Sequence, residues 1–270
     1  MTTLLDGKAC SKEIETELKE LISTLSVTPT LALLLVGSNP DSKTYVRLKK
    51  NACTPLNVHG ILLQLPLPEH LKLHEEELLE TISPLKDADG LHSHHFARLA
   101  EPMKKQNEVA PKDLRLQPCT PAGCLEILGR NGVKLEGKDV IVIGRGQLVG
   151  RPLSLMLLAA NATVTSCHSK TKNLADKVRR AEVVFVGTGQ PELVKGDWLA
   201  EGAVVVDCGI NYVDDATSKK GYKIVGDVDF AAASERVSVI TPVPGGIGPM
   251  TIAMLLKNTV ECAKFAASKS

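Results

Sequence analysis

Tyr45 and Lys49 stand four residues apart in YVRLKK, a spacing that places both on one face of a helix. The strand-like run GILLQL follows closely and carries one glutamine, Gln64, among apolar residues. A buried amide needs partners for its polar atoms, and a lysine can donate to it. A lysine held this way and partly desolvated has a lowered pKa and can carry protons near neutrality. Lys49 also fits the ordinary reading of a helix-face lysine, a solvated charge. Downstream, KDADG offers Asp87 and Asp89, carboxylates suited to a cationic or amino-bearing ring. No Ser–His–Asp or paired-carboxylate hydrolase arrangement stands out. The seven cysteines form no C-x-x-C pair, so no metal site is expected.

A second constellation lies in IVIGRGQLVGRP, where Gly144, Gly146 and Gly150 are spaced G-x-G-x-x-x-G between an apolar strand and a helix. This is one residue longer than the usual dinucleotide fingerprint, and the physics is the same. Small residues let backbone N–H groups approach a pyrophosphate at a helix N-terminus, although a glycine-rich turn can also be only a turn. The end of the next strand bears on the cofactor. An NAD site wants an acidic residue about 20 residues on, to accept from the ribose 2′-OH. Here CHSKT puts His168, Ser169 and Lys170 in that place, and Arg145 lies in the glycine turn. Donors and cations in place of a carboxylate suit a 2′-phosphate, so NADP is expected rather than NAD. ITPVPGGIGPMT, residues 240–251, is a rigid Pro-Gly loop at a strand end. It fits either a ligand-facing loop or a sharp turn before the last helix, and Val243–Pro244 is a candidate cis bond.

The elements that must position these groups follow from apolar periodicity. A helix is expected over Ala9–Leu25, with Ile14, Leu18, Leu21 and Ile22 on its apolar face. TPTLALLLVG and VHGILLQL read as buried parallel strands, HEEELLETISPL as helix, and KDADGLHSHHFARLA as a polar loop. From about Leu135 strands at 138–144, 162–168, 181–189, 202–211 and 237–246 alternate with helices or loops, and an amphipathic helix closes the chain. That alternation marks a doubly wound parallel sheet. Two α/β domains joined near residues 112–120 are expected.

Composition removes other classes. The 270 residues carry 32 basic and 31 acidic side chains for a net charge of +1, so bulk electrostatics offers nothing to nucleic acid. Aromatics make up 3%, too few for a base-stacking platform. No apolar stretch approaches the ~20 residues of a membrane span. The N-terminus turns acidic and amphipathic within a dozen residues, unlike a signal or transit peptide. Scattered thiols fit a reducing cytosol, and a cytoplasmic location is expected.

Taken in order, VGSNPDSKTYVRLK, GILLQLPLP, PLKDADG, PCTPAG, VIGRGQLVGRP, ATVTSCHSKT, DCGIN, GDVDF and TPVPGGIGPMT resemble the signature blocks of the methylenetetrahydrofolate dehydrogenase/methenyltetrahydrofolate cyclohydrolase family. The resemblance spans nearly the whole chain and turns the Pro-Gly loop toward ligand binding. It implies an α/β protein of two domains with a cleft between them. The N-terminal α/β catalytic domain would be residues 1–115 with 248–270, and a Rossmann-like doubly wound parallel sheet would be residues 116–247. It implies NADP-dependent oxidation of 5,10-methylenetetrahydrofolate to the methenyl cation, then hydrolysis to 10-formyltetrahydrofolate. On this resemblance Lys49 is the proton-shuttling catalytic lysine and Gln64 its tuning partner. Tyr45 would stack on the folate, Asp89 would anchor the pterin, and Gly248 and Pro249 would border the folate. Arg145, His168 and Ser169 would hold the 2′-phosphate beside Gly144 and Gly146. Thr120 and Gly246 would lie near the reacting centre or the pyridine nucleotide. A homodimer is the family's usual form.

The chain also departs from that family. Gly146 stands where many relatives carry Ser, and SHHFARLA replaces a loop that usually bears Asn and Gly. Relatives carry a strand and a helix, roughly 30 residues, between the Tyr-x-x-x-Lys helix and the Gln-bearing strand, whereas here Thr54 to Asn57 fill the gap. With the lost strand at the sheet edge, the retained helix would have to cross to the sheet's other face, against the right-handed crossover preference. The alternative expectation is therefore a shortened isoform or gene-model product that keeps NADP binding with weak or no folate activity. A third is an unrelated NADP-dependent dehydrogenase, against which the Lys–Gln pair and the Pro-Gly loop both speak.

Overall fold

The structure, a computed structural model, describes residues 2–36, 58–101, 114–218 and 220–269. Tyr45, Lys49 and the span from Thr54 to Asn57 lie outside the described residues. In chain order the elements are β1 (Thr3–Leu4), α1 (Gly7–Ser23), β2 (Leu31–Leu34), β3 (Gly60–Leu63), α2 (Glu75–Glu80), α3 (Ser93–Leu99) and α4 (Cys119–Arg130). Then come β4 (Asp139–Ile143), α5 (Gly150–Ala159), β5 (Thr163–Cys167), α6 (Leu174–Val178), β6 (Val183–Val186) and β7 (Val204–Asp207). The last are β8 (Asn211–Asp214), β9 (Tyr222–Val225), α7 (Phe230–Ser234), β10 (Val239–Ile240) and α8 (Ile247–Ala267). The chain divides into two compact units, Met1–Lys12 with Thr120–Thr251 and Glu13–Cys119 with Ile252–Ser270. No described helix is long and apolar enough to cross a membrane.

The first unit is built on a six-stranded sheet in the order β1-β10-β7-β6-β4-β5, and every pairing in it is parallel. Strands β4 and β6 are apolar and buried along almost their whole length, as a sheet covered on both faces requires. Ile141, Ile143, Val184, Val186, Val205 and Ile240 form one contiguous core with Leu199 and Val237. Each such side chain contributes about 1.5–3 kcal/mol when fully buried. After β4 the chain adds β5 on one side, then returns to place β6 on the other. The strand order therefore reverses at β4, which makes the carboxyl ends of β4 and β6 a topological switch point. At the other edge β1 pairs with β10, and Asp6 then caps α1 by accepting the N–H groups of Lys8 at 2.9 Å and Ala9 at 3.1 Å. The antiparallel hairpin β8–β9, with Asn211 opposite Val225, projects after β7.

The second unit holds the parallel pair β2–β3, in register from Leu31 opposite Gly60 to Leu34 opposite Leu63. Residues 86–88 run along the other side of β3, where the Ile61 N–H donates to Lys86 O at 2.6 Å and the Ala88 N–H to Ile61 O at 3.1 Å. Leu63, Leu67, Leu79 and Ile82 form its core. The polar stretch after KDADG differs from expectation: Ser93–Leu99 is the helix α3 rather than loop. Its start is fixed by side chains. His92 Nδ1 accepts the His94 N–H at 3.0 Å, and Glu80 accepts both the N–H and the hydroxyl of Ser93 at 2.7 Å. The helix buries His95 completely, and its Nε2–H donates to Pro84 O at 2.7 Å.

Candidate functional site

The glycine turn lies at the switch point. Gly144 follows β4 with φ +118°, a region that side chains avoid. A Cβ there would run into Gly187 O, at the end of β6. Gly150 opens α5, and a Cβ on it would strike Gly144 O. These two glycines let the turn fold back on itself and leave the N-terminus of α5 facing the crevice between β4 and β6. The helix presents its positive dipole end there, which fits a pyrophosphate, and its Arg151 N–H donates to Gly146 O of the same turn at 3.1 Å. Gly146 is different. It is exposed, and a Cβ on it would meet nothing within 4 Å.

The residues expected to read a 2′-phosphate come to the same edge. Ile143 and Cys167 are paired in register, and the Gly144 N–H donates to Cys167 O at 2.9 Å. Arg145 and His168 thus leave neighbouring strand ends together. Residues 168–171 form a closed turn, in which the Thr171 N–H donates to His168 O at 2.8 Å and the His168 N–H to Thr171 Oγ1 at 2.9 Å. His168 Nδ1 accepts the Lys170 N–H at 3.1 Å, which leaves the ring proton on Nε2 as an outward donor. Arg145, Ser169 and Lys170 are exposed and His168 is half-buried. Three cations or hydroxyl donors with no carboxylate among them fit a phosphate better than a ribose hydroxyl.

The Pro-Gly loop is held tightly. The Gly246 N–H donates to Pro242 O at 2.8 Å, and a Cβ on Gly246 would lie 2.6 Å from that oxygen. Gly245 has φ +113°, and Val243–Pro244 is a cis peptide. Gly248 and Pro249 fall in the first turn of α8, where the missing proline N–H has no helical partner to lose. The Thr251 hydroxyl donates to Ile247 O at 3.1 Å, so the Thr120 hydroxyl, 3.1 Å away, donates to Thr251.

In the second unit, Gln64 directly follows β3 instead of lying inside it, and it is half-buried. Its N–H donates to Leu34 O at 2.9 Å, and its Nε2 donates to Leu65 O at 2.7 Å. The chain then turns at the cis peptide Leu65–Pro66. Asp87 and Asp89 separate in role. Asp87 is buried and accepts the N–H groups of His92 at 2.8 Å and Gly90 at 3.2 Å. Burial nevertheless holds its carboxyl above the ordinary range. Asp89 is half-buried, and its carbonyl accepts the Cys119 N–H at 3.2 Å. Asn258 of α8 clamps this loop by donating to Ala88 O at 3.0 Å and Gln117 O at 2.9 Å. Because β3 runs beside residues 86–88, Gln64 and Asp89 lie past the same end of adjacent parallel segments.

Sequence reasoning passed over Asn258 and the buried aspartates Asp207 and Asp227. The signal was present in VVVDCG and VGDV, where an acidic residue ends or follows an apolar run next to glycine.

Residues 118–267 match the model of the tetrahydrofolate dehydrogenase/cyclohydrolase NAD(P)-binding domain, and residues 5–58 match that of the catalytic domain. The bifunctional protein FolD 2 of Geobacter sulfurreducens is 46% identical over 300 aligned positions, covering 99% of each chain. That alignment is longer than the 270 residues here, so it holds at least 30 positions with no counterpart in this chain. The crystal structure of the bifunctional FolD enzyme of Campylobacter jejuni, 41% identical, superposes with a TM-score of 0.85 over 98% of this chain and 99% of its own. The Trypanosoma brucei methylenetetrahydrofolate dehydrogenase-cyclohydrolase, solved with NADP and an inhibitor, is 36% identical with a TM-score of 0.87, over 99% and 98% of the two chains. The chain belongs to the tetrahydrofolate dehydrogenase/cyclohydrolase family.

Proposed function

We propose that this chain oxidises 5,10-methylenetetrahydrofolate to 5,10-methenyltetrahydrofolate with NADP and hydrolyses the product to 10-formyltetrahydrofolate. The observation that carries this is 46% identity to a bifunctional FolD protein over 99% of this chain, joined to a switch-point crevice that only glycines permit. The residues fit NADP. Gly144 and Gly150 open the turn for the pyrophosphate, and Arg145, His168 and Ser169 take the 2′-phosphate. Bound there, the nicotinamide accepts a hydride, a step that depends on positioning. Thr120 and Gly246 lie near the reacting centre or the pyridine nucleotide, and residues 116–247 make up the nucleotide-binding domain.

The folate half is residues 1–115 with 248–270. Tyr45 stacks on the folate, Asp89 anchors the pterin, and Gly248 and Pro249 border it. Lys49 carries the proton that hydrolysis of the amidinium-like product requires, and Gln64 orients and tunes it. The protein works in the cytoplasm as a homodimer, with neither nucleic acid nor membrane as a partner. The alternative, a shortened chain limited to NADP binding, is not favoured: β2 and β3 keep a four-residue parallel register, and relatives match along the whole chain.

The test is purified chain supplied with methylenetetrahydrofolate and NADP, as wild type and as Lys49→Met. Wild type forms NADPH and the formyl product, and Lys49→Met loses hydrolysis while keeping NADP affinity. Equal loss of both in the variant would remove Lys49 from its role, and an inactive wild type that still binds NADP would restore the alternative.

A further inference from the structure

Two aspartates outside the expected site sit at the carboxyl edge of the six-stranded sheet. Asp207 ends β7 and Asp227 follows β9, with 4% and 0% of their surfaces exposed. Asp207 Oδ1 accepts the N–H groups of Gly209 at 2.8 Å and Asp227 at 3.0 Å, and its Oδ2 accepts that of Val228 at 2.9 Å. Asp227 Oδ2 in turn accepts the N–H of Thr188 at 2.5 Å, its hydroxyl at 3.0 Å and the Gly189 N–H at 2.9 Å. Its Oδ1 accepts Asn211 Nδ2 at 2.8 Å. The seats are reciprocal. A Cβ on Gly209 would collide with the Asp227 carboxyl, and one on Gly226 with Asp207 Oδ2. The Asp207 N–H also donates to Thr241 Oγ1 at 2.8 Å, where the Pro-Gly loop begins.

Thr188 and Gly189 continue the chain from Gly187, the residue whose carbonyl closes on Gly144 and whose Cα faces Val149 of the glycine turn. We infer that Asp227, braced by Asp207, is a positioning residue for NADP, fixing the turn after β6 that walls the switch-point crevice. Charge-assisted bonds to one carboxylate oxygen are stronger than neutral ones, and the low local dielectric raises the cost of leaving any of those donors unpaired. The inference rests on the reading that this crevice takes NADP.

The substitution that exposes the role is Asp227→Asn. If its amide oxygen serves Thr188 and Gly189, its Nδ2 confronts Asn211 Nδ2, donor against donor. If it flips, Nδ2 confronts two backbone N–H groups. The double variant Asn211→Asp/Asp227→Asn restores the match between the two side chains and gives up the longer bond from Asn211 Nδ2 to Val225 O at 3.5 Å. The experiment uses the full chain: NADP affinity from quenching of the single tryptophan, Trp198, KM for NADP and for methylenetetrahydrofolate, and the unfolding temperature. Asp227→Asn should weaken NADP binding about tenfold or more with folate KM within about twofold, and the double variant should recover part of the loss. If Asp227→Asn does not fold, Thr188→Val removes one donor of the three, and a loss of about threefold in NADP affinity is expected. A folded Asp227→Asn that binds NADP like wild type, an unrescued double variant or a neutral Thr188→Val would overturn the inference. A wild-type chain that fails to bind NADP would overturn the nucleotide reading beneath it.

Discussion

The main-chain N–H of Asp227 donates to Oδ1 of Asp207 at 3.0 Å, so the backbone of one buried carboxylate is pinned by the side chain of another. Burial pushes the Asp207 carboxyl up from its ordinary 3.8 to about 6; three N–H donors oppose the rise, and the Asp227 charge adds to it. A raised folded-state value means that the protonated form is the stabilised one. Its contribution is complete below about pH 4 and is lost as pH rises through about 6, a swing of about 3 kcal/mol. Urea unfolding followed through Trp198, which packs on the core of this unit, should show a falling midpoint over that window. Asp207→Asn should flatten the profile, and an equally steep profile in the variant would assign it to other groups.

His95 behaves with the opposite sign. Burial lowers its imidazole from 6.5 to about 4, against the hydrogen bond to Pro84 and with neighbouring His94, His92 and Arg98 adding to the effect. Its stabilisation is present above pH 6.5 and is lost as pH falls towards 4, again by about 3 kcal/mol. The His95 ring resonances should keep their neutral shifts down to about pH 4, and titration near 6.5 would contradict the burial.

The first and the middle glycine of the turn, Gly144 and Gly146, should respond differently. Gly144→Ala places a Cβ at φ +118° and against Gly187 O, so a loss of at least about 2 kcal/mol is expected from strain and overlap. NADP affinity should fall with it. Gly146→Ser meets open space and should change stability by less than about 0.5 kcal/mol. Thermal unfolding and NADP titration of both variants check this.

Arg145 and His168 should set cofactor choice. A charged hydrogen bond to phosphate is worth about 1.5–3 kcal/mol, and NAD has no 2′-phosphate to receive it. Arg145→Ala or His168→Ala should therefore lower kcat/KM for NADP about tenfold or more and leave that for NAD nearly unchanged. A parallel fall for both cofactors would place these residues elsewhere.

Much of this architecture is readable from local pattern. VIVI and VVFV announce buried strands because both faces are covered, and the glycine spacing offered a close backbone approach that holds at Gly144 and Gly150 and not at Gly146. What escaped depends on partners distant in the chain. Helix α3 forms in a His-rich polar stretch because Glu80, 13 residues earlier, accepts from Ser93, and no helical periodicity announces it. Strand β1 is two residues that pair with β10 across more than 230 positions. The aspartate interlock joins residues 20 apart through glycines that look like ordinary turn glycines. Gln64 was legible as an oddity in an apolar run, although its place just beyond the strand was not.

The most direct measurement of the central claim is stoichiometry. Purified chain, methylenetetrahydrofolate and NADP are followed to completion, with NADPH and 10-formyltetrahydrofolate quantified against an enzyme-free methenyltetrahydrofolate control. A bifunctional enzyme gives one formyl product per NADPH, formed faster than the control hydrolyses. No NADPH, or methenyl product that accumulates and hydrolyses only at the control rate, would contradict it.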